Sequence, residues 1–78
     1  MKFIRYDRHA KRRMKERDVA EEEAKMAINS PDYIEPSVKG RKNGYKLIGS
    51  RFLRVTFKED QEEILVITVT VRKRPFRG

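Results

Sequence analysis

The spacing of apolar positions changes character twice along the chain. "KFIRY" (2–6) has the β-branched and aromatic content of a short strand. From Asp7 the apolar spacing becomes helical. Asp7 can cap a helix over 8–17, on which Ala10 and Met14 form a narrow stripe four residues apart. A second helix follows, with Glu21, Glu22 and Glu23 in its first turn, where the helix dipole favours negative charge. Val19 and Ala24 suit a hydrophobic staple, while Ala24, Ala27 and Ile28 make the inward face. Asp18 with Glu21 offers an alternative capping box for its start. Pro31 pushes Ser30 out of the helical region and ends this helix.

Beyond Tyr33 the period is that of strands. "YIEPSV" (33–38) reads as an edge strand, because Pro36 cannot donate to a ladder. "KGRKNG" (39–44) reads as a turn. "YKLI" (45–48) and "RFLRVTFK" (51–58) form a hairpin through Gly49-Ser50, and "EDQE" (59–62) closes the next one. "EILVITVTV" (63–71), apolar or β-branched on both faces, is the central strand. Alternation puts Leu53, Val55 and Phe57 on one face of their strand, with Phe52, Arg54 and Thr56 on the other. On the last strand it puts Leu65, Ile67, Val69 and Val71 opposite Ile64, Val66, Thr68 and Thr70. The expected fold is α+β, in the order β-α-α-β-β-β-β. Two N-terminal helices pack on one face of a mainly antiparallel four- to five-stranded sheet. Residues 1–74 form a single domain and 75–78 a C-terminal tail.

Composition narrows the function. The chain has 78 residues, a net charge of +8 and no cysteine. A domain this basic points to a polyanionic partner. Without cysteine there is no disulfide or thiolate zinc site, and a single histidine gives no basis for a metal centre, so no cofactor is expected. The absence of cysteine fits a reducing, cytoplasmic compartment. No apolar run approaches the ~18–20 residues of a membrane span, and "MKFIRYDRHA" lacks a signal peptide's apolar stretch. The charges are blocked: residues 1–17, 36–58 and 72–78 are basic, 18–35 and 59–63 acidic. If the basic blocks converge in the fold they make a one-sided positive surface; if they scatter they serve solubility.

Three constellations can carry chemistry. In "RHAKRRMKER" (8–17), steps of four place His9, Arg13 and Arg17 in one slanted row on a helix. An imidazole beside guanidiniums suits RNA cleavage without metal. His9 would move the proton and Arg13 would hold the phosphate, with Arg17 alongside. The alternative is that His9 hydrogen-bonds a neighbouring backbone group and packs. The second set surrounds Tyr45, which can stack on a base, with Arg41, Lys42, Lys46, Arg51 and Arg54 about it. The alternative is an ordinary cross-strand aromatic with edge-guarding cations. The third is "RKRPFRG" (72–78). Arg72, Lys73 and Arg74 follow the last strand directly and suit a phosphate clamp; Pro75 and Phe76 read as tail.

These segments, "HAKRRMKERDVAEEEAKMAINSPDYIE", "KGRKNGYKLIGSRFLRVTF" and "EILVITVTVRKR", resemble a family of small bacterial and archaeal proteins related at fold level to the RelE/ParE toxin superfamily. The pattern's histidine, arginine-methionine pair and second arginine correspond to His9, Arg13-Met14 and Arg17. Its strand tyrosine is Tyr45, its "LRV" strand Leu53–Val55, and its last-strand "VITV" Val66–Val69. Where that pattern often caps the second helix with Ser or Thr, this chain has Ala20. The resemblance implies a toxin-type protein that binds RNA, either as a metal-independent endoribonuclease or as a non-catalytic nucleic-acid- or protein-binding module, including the gyrase-inhibitor type. It also implies an acidic antitoxin as partner. The last strand has no tyrosine of the kind RelE-like nucleases carry near their C-terminus, so cleavage would fall to His9 and the arginines.

Overall fold

The computed structural model describes residues 2–76. Strand β1 (Phe3–Tyr6) leads into α1 (Arg8–Glu16) and α2 (Glu21–Asn29). Then come β2 (Tyr33–Pro36), a 3-10 turn (Val38–Gly40), β3 (Lys42–Ile48), β4 (Arg51–Glu59) and β5 (Glu63–Arg72). The strands form one sheet in the order β1-β5-β4-β3-β2. β1 runs parallel to β5 and the other neighbours pair antiparallel, so the α+β fold is built on a mixed sheet. β5 is an interior strand, but the middle of the sheet is β4.

The sequence forms each helix through its ends. Asp7 accepts a hydrogen bond from the Ala10 amide at 2.7 Å and starts α1. The helix closes in a Schellman motif. The Val19 amide donates to the Met14 carbonyl at 2.8 Å and the Asp18 amide to the Lys15 carbonyl at 3.3 Å, with Asp18 in the left-handed region at φ 54°. The apolar contact that accompanies this motif is supplied by Val19 and Met14, both in the core. α2 starts at Ala20 rather than at Asp18. A side chain that cannot cap is offset by Glu23, which accepts from the Ala20 amide at 2.8 Å.

One face of the sheet holds the core. Leu53, Val55 and Phe57 of β4 meet Ala10, Met14, Ala24, Ala27 and Ile28 from the helices, as the alternation predicts. Each of the larger side chains contributes ~1.5–3 kcal/mol by leaving water. Gly44 lets α2 approach β3. A Cβ there would lie 2.3 Å from the Ala27 carbonyl oxygen, so only glycine fits. Gly49, at φ 61°, makes the two-residue turn between Ile48 and Arg51.

Two sequence expectations are corrected. First, Lys42, Asn43 and Gly44 belong to β3, not to the turn before it. The turn needs only Val38–Gly40, with Lys39 and Gly40 both at positive φ. Second, β5 does not alternate strictly. Its register against β4 shifts between Thr56 and Phe57: Thr56 faces Thr68 but Phe57 faces Val66, leaving Ile67 as the extra residue of a bulge. The bulge turns the first half of the strand over. Ile64 and Val66 therefore join Val69 on the buried face, while Leu65 and Ile67 are only half-buried.

Candidate nucleic-acid interface

Because both helices cover the Leu53–Val55–Phe57 face, the opposite face of the sheet carries no helix. Register places Tyr33 and Glu35 of β2, Asn43, Tyr45 and Leu47 of β3, Phe52, Arg54 and Thr56 of β4, and Thr68, Thr70 and Arg72 of β5 on it. Thr56 Oγ1 donates to Asn43 Oδ1 at 2.7 Å, a polar pair that the core face would not tolerate.

At its centre stands Arg54, opposite Tyr45 on β3 and Thr70 on β5. The chain turns back after β5 and lays the Phe76 ring against this cluster. The Phe76 centroid is 5.0 Å from the Arg54 guanidinium carbon, 4.5 Å from that of Arg72 and 5.5 Å from the Tyr45 ring, edge to face. Tyr33 adds a further ring 5.7 Å from Tyr45. Phe76, read from sequence as tail, is therefore packed; residues 77 and 78 lie outside the described residues. The Tyr45 hydroxyl donates to the Glu35 carboxylate. Burial first, and then Glu35, raise the Tyr45 pKa, against an opposing pull from Arg54. Arg54 Nε is buried and finds no hydrogen-bond partner among the described residues. A buried donor left unpaired costs ~1–3 kcal/mol, more when charged, so Arg54 is held here at a local cost to stability.

The cations sort into three groups. Arg17, at the C-terminus of α1, and Arg72 and Lys73, at the end of β5, line one cleft with Ser50, Arg51 and Val71. Two basic blocks of the sequence and the last one do converge here, and Arg72 joins this cleft to the Phe76 cluster. Lys42 is held by Glu59 at 3.2 Å and Lys46 by Asp32 at 3.4 Å. Lys42 pairs with Phe57, on the helix side of the sheet, and Arg41 precedes β3. Arg74 is exposed just past β5. Lys42 thus faces away from the Arg54 cluster, and among the described residues neither Arg41 nor Arg74 makes an ion pair or cation–ring contact with it.

Arg51, grouped with these cations on sequence, has a structural task instead. Its guanidinium donates to the Arg17 carbonyl at 2.9 Å and to both carboxylate oxygens of Glu23 at 2.9 and 3.1 Å. It clamps the end of α1 to the start of α2. The Ala20 amide first, and then Arg51, hold the Glu23 carboxyl below its ordinary range despite partial burial.

His9 is exposed on α1, and no hydrogen bond or ion pair involves it among the described residues. Its imidazole is neither packed nor bonded to the backbone. Arg13 and Arg17 both approach Glu16 Oε1, at 3.2 and 3.7 Å. These exposed pairs are worth ~0–1 kcal/mol and yield readily to a phosphate. The α1 row and the Tyr45–Arg54 cluster lie on opposite sides of the sheet, and only Arg17 reaches toward both.

Residues 6–71 match the family described as Domain of unknown function (DUF4258). The chain belongs to this family. No curated protein and no solved structure matches it. Among the described residues of this DUF4258 chain, no helix is long and apolar enough to cross a membrane, and no three His, Cys, Asp or Glu side chains group as a metal site.

Proposed function

We propose that this chain is a RelE/ParE-like, toxin-type domain of the cytoplasm whose helix-free sheet face binds single-stranded RNA. The observation that carries the reading is the interleaving of guanidiniums and rings: Arg54 and Arg72 flank Phe76, beside Tyr45 and Tyr33. Exposed bases stack on rings and arginine planes, while phosphates take the guanidinium donors. The Arg54 guanidinium, opposite Tyr45 and against the Phe76 ring, is the cation at the centre of this face. The strand would run from this face into the Arg17–Arg72–Lys73 cleft. An acidic antitoxin would be drawn to the same cations.

Binding of single-stranded RNA, followed by fluorescence anisotropy over a salt series, tests this. Each phosphate contact contributes a slope of roughly −0.7 in log affinity against log salt. A flat salt response, or equal binding by a neutral polymer, would refute it.

A second, catalytic reading is favoured by the exposed and unbonded state of His9. His9 would take the 2′-hydroxyl proton as that oxygen attacks phosphorus. The 5′-oxygen would leave and take a proton from water, giving a cyclic phosphate end, while Arg13 offsets charge on the phosphoryl oxygens. RNA incubated in chelator with wild type and with His9→Ala decides it. Cleavage present in the first and lost in the second supports catalysis. No product from either leaves RNA binding as the function, and gyrase inhibition indifferent to His9 would replace both readings.

A further inference from the structure

Beside the Phe76 cluster lies a cleft of about 390 Å³, at the small end of the ~300–1,000 Å³ range of ligand pockets. Tyr33, Tyr45, Leu47, Phe52, Pro75 and Phe76 form its walls. Asp32 stands at its edge. Asp32 accepts from the Leu47 amide at 2.8 Å and from Lys46. Those two contacts hold its carboxyl below the ordinary range, so it stands as a charged acceptor.

We infer that this cleft is a nucleobase slot: it takes one unstacked base of a bound single strand while Arg54 and Arg72 hold the adjoining phosphates. The inference rests on the RNA-binding reading and adds where, and by what, a base is read. Three observations select a base over an apolar side chain. The walls are predominantly aromatic, which suits a flat π-system. The same Phe76 ring that closes the slot is covered by two guanidiniums, so an occupant carrying negative charge meets cations directly beside it. At its edge Asp32 offers a charged acceptor to the hydrogen-bonding edge of a base. Tyr33 and Leu47 are 44% and 46% exposed, so the slot is open without rearrangement of the core.

The test compares oligoadenylate with the same ribose-phosphate backbone carrying no bases, against wild type, Tyr33→Ala and Phe76→Ala. Wild type should bind the base-bearing strand more tightly by about five- to a hundredfold, the range of base–aromatic stacking. Each variant should lose most of that preference. Both sites lie outside the core cluster, and circular dichroism checks the fold. Equal affinity of wild type for the two strands would overturn the slot while leaving phosphate-driven RNA binding intact. Loss of affinity for both strands alike in Tyr33→Ala would also overturn it. Absence of binding by either strand would remove the RNA reading and the slot with it. A wild-type dimer that Tyr33→Ala disperses, seen by light scattering, would assign the cleft to a second copy instead.

Discussion

Leu53 and Arg54 are neighbours in β4 and serve opposite faces of one sheet. Leu53 is fully buried among helix side chains that form a closed apolar cluster. Arg54 sits where no helix reaches, beneath an aromatic ring and beside a tyrosine, with one donor unmet. The covered face satisfies itself: its apolar atoms touch each other and its helix ends are capped. The open face does not, since its cations outnumber its acids and its rings wall an open cleft. A domain this small needs its buried side chains for stability, so a sheet face without a helix is where binding side chains can be placed at least cost.

Substitutions that break the covered face come first in size. Leu53→Ala removes a fully buried side chain from the middle strand and should cost ~2–5 kcal/mol by chemical denaturation. Arg54→Ala, one residue on, should change stability by no more than about 1 kcal/mol. Similar losses at the two positions would mean that the faces are not different in kind. Gly44→Ala drives a Cβ into the Ala27 carbonyl and should cost ~1–3 kcal/mol, with α2 lifted from β3. A neutral result there would mean that the helix is not seated as closely as described.

The Arg51–Glu23 clamp gives a smaller, pH-dependent effect. The folded-state pKa of Glu23 lies below its ordinary value of 4.5. Its stabilisation is therefore fully present above about pH 4.5 and is lost as pH falls through the folded value. Glu23→Gln should be less stable than wild type at pH 7 by about 1 kcal/mol. The two melting temperatures should converge on acidification; a difference that persists unchanged to low pH would contradict the clamp. The smallest effect is a gain. Asp18 is a non-glycine residue in the left-handed region at an α1 C-terminus, where a negative charge also opposes the helix dipole. Asp18→Gly should raise stability by ~0.5–1 kcal/mol, read as a higher melting temperature.

Much of the covered face was legible in the sequence, because period and capping are local signals. Ala10, Met14, Ala24, Ala27, Ile28 and the β4 alternation lie where those signals put them. The β5 alternation fails at Ile67, since a bulge is set by the register between two strands and leaves no mark in one. The parallel pairing of β1 with β5 joins residues some sixty positions apart, beyond any local pattern. Around the site, Tyr45, Arg54 and Arg72 were identifiable as cations and an aromatic in suitable strands. Their meeting around Phe76 was not, because it depends on the chain turning back after β5. Arg51 was misread for a related reason: an arginine that joins two helix ends looks, in sequence, like one that awaits a phosphate.

The claim that matters most is that the helix-free face is an RNA-binding surface centred on Arg54. Its most direct test is the salt dependence of single-stranded RNA affinity for wild type and Arg54→Ala, with folding of both checked by circular dichroism. Loss of one phosphate contact should weaken binding by about tenfold and reduce the log–log salt slope by roughly 0.7. An Arg54→Ala protein that is folded and binds with wild-type affinity and slope would contradict the assignment of this face.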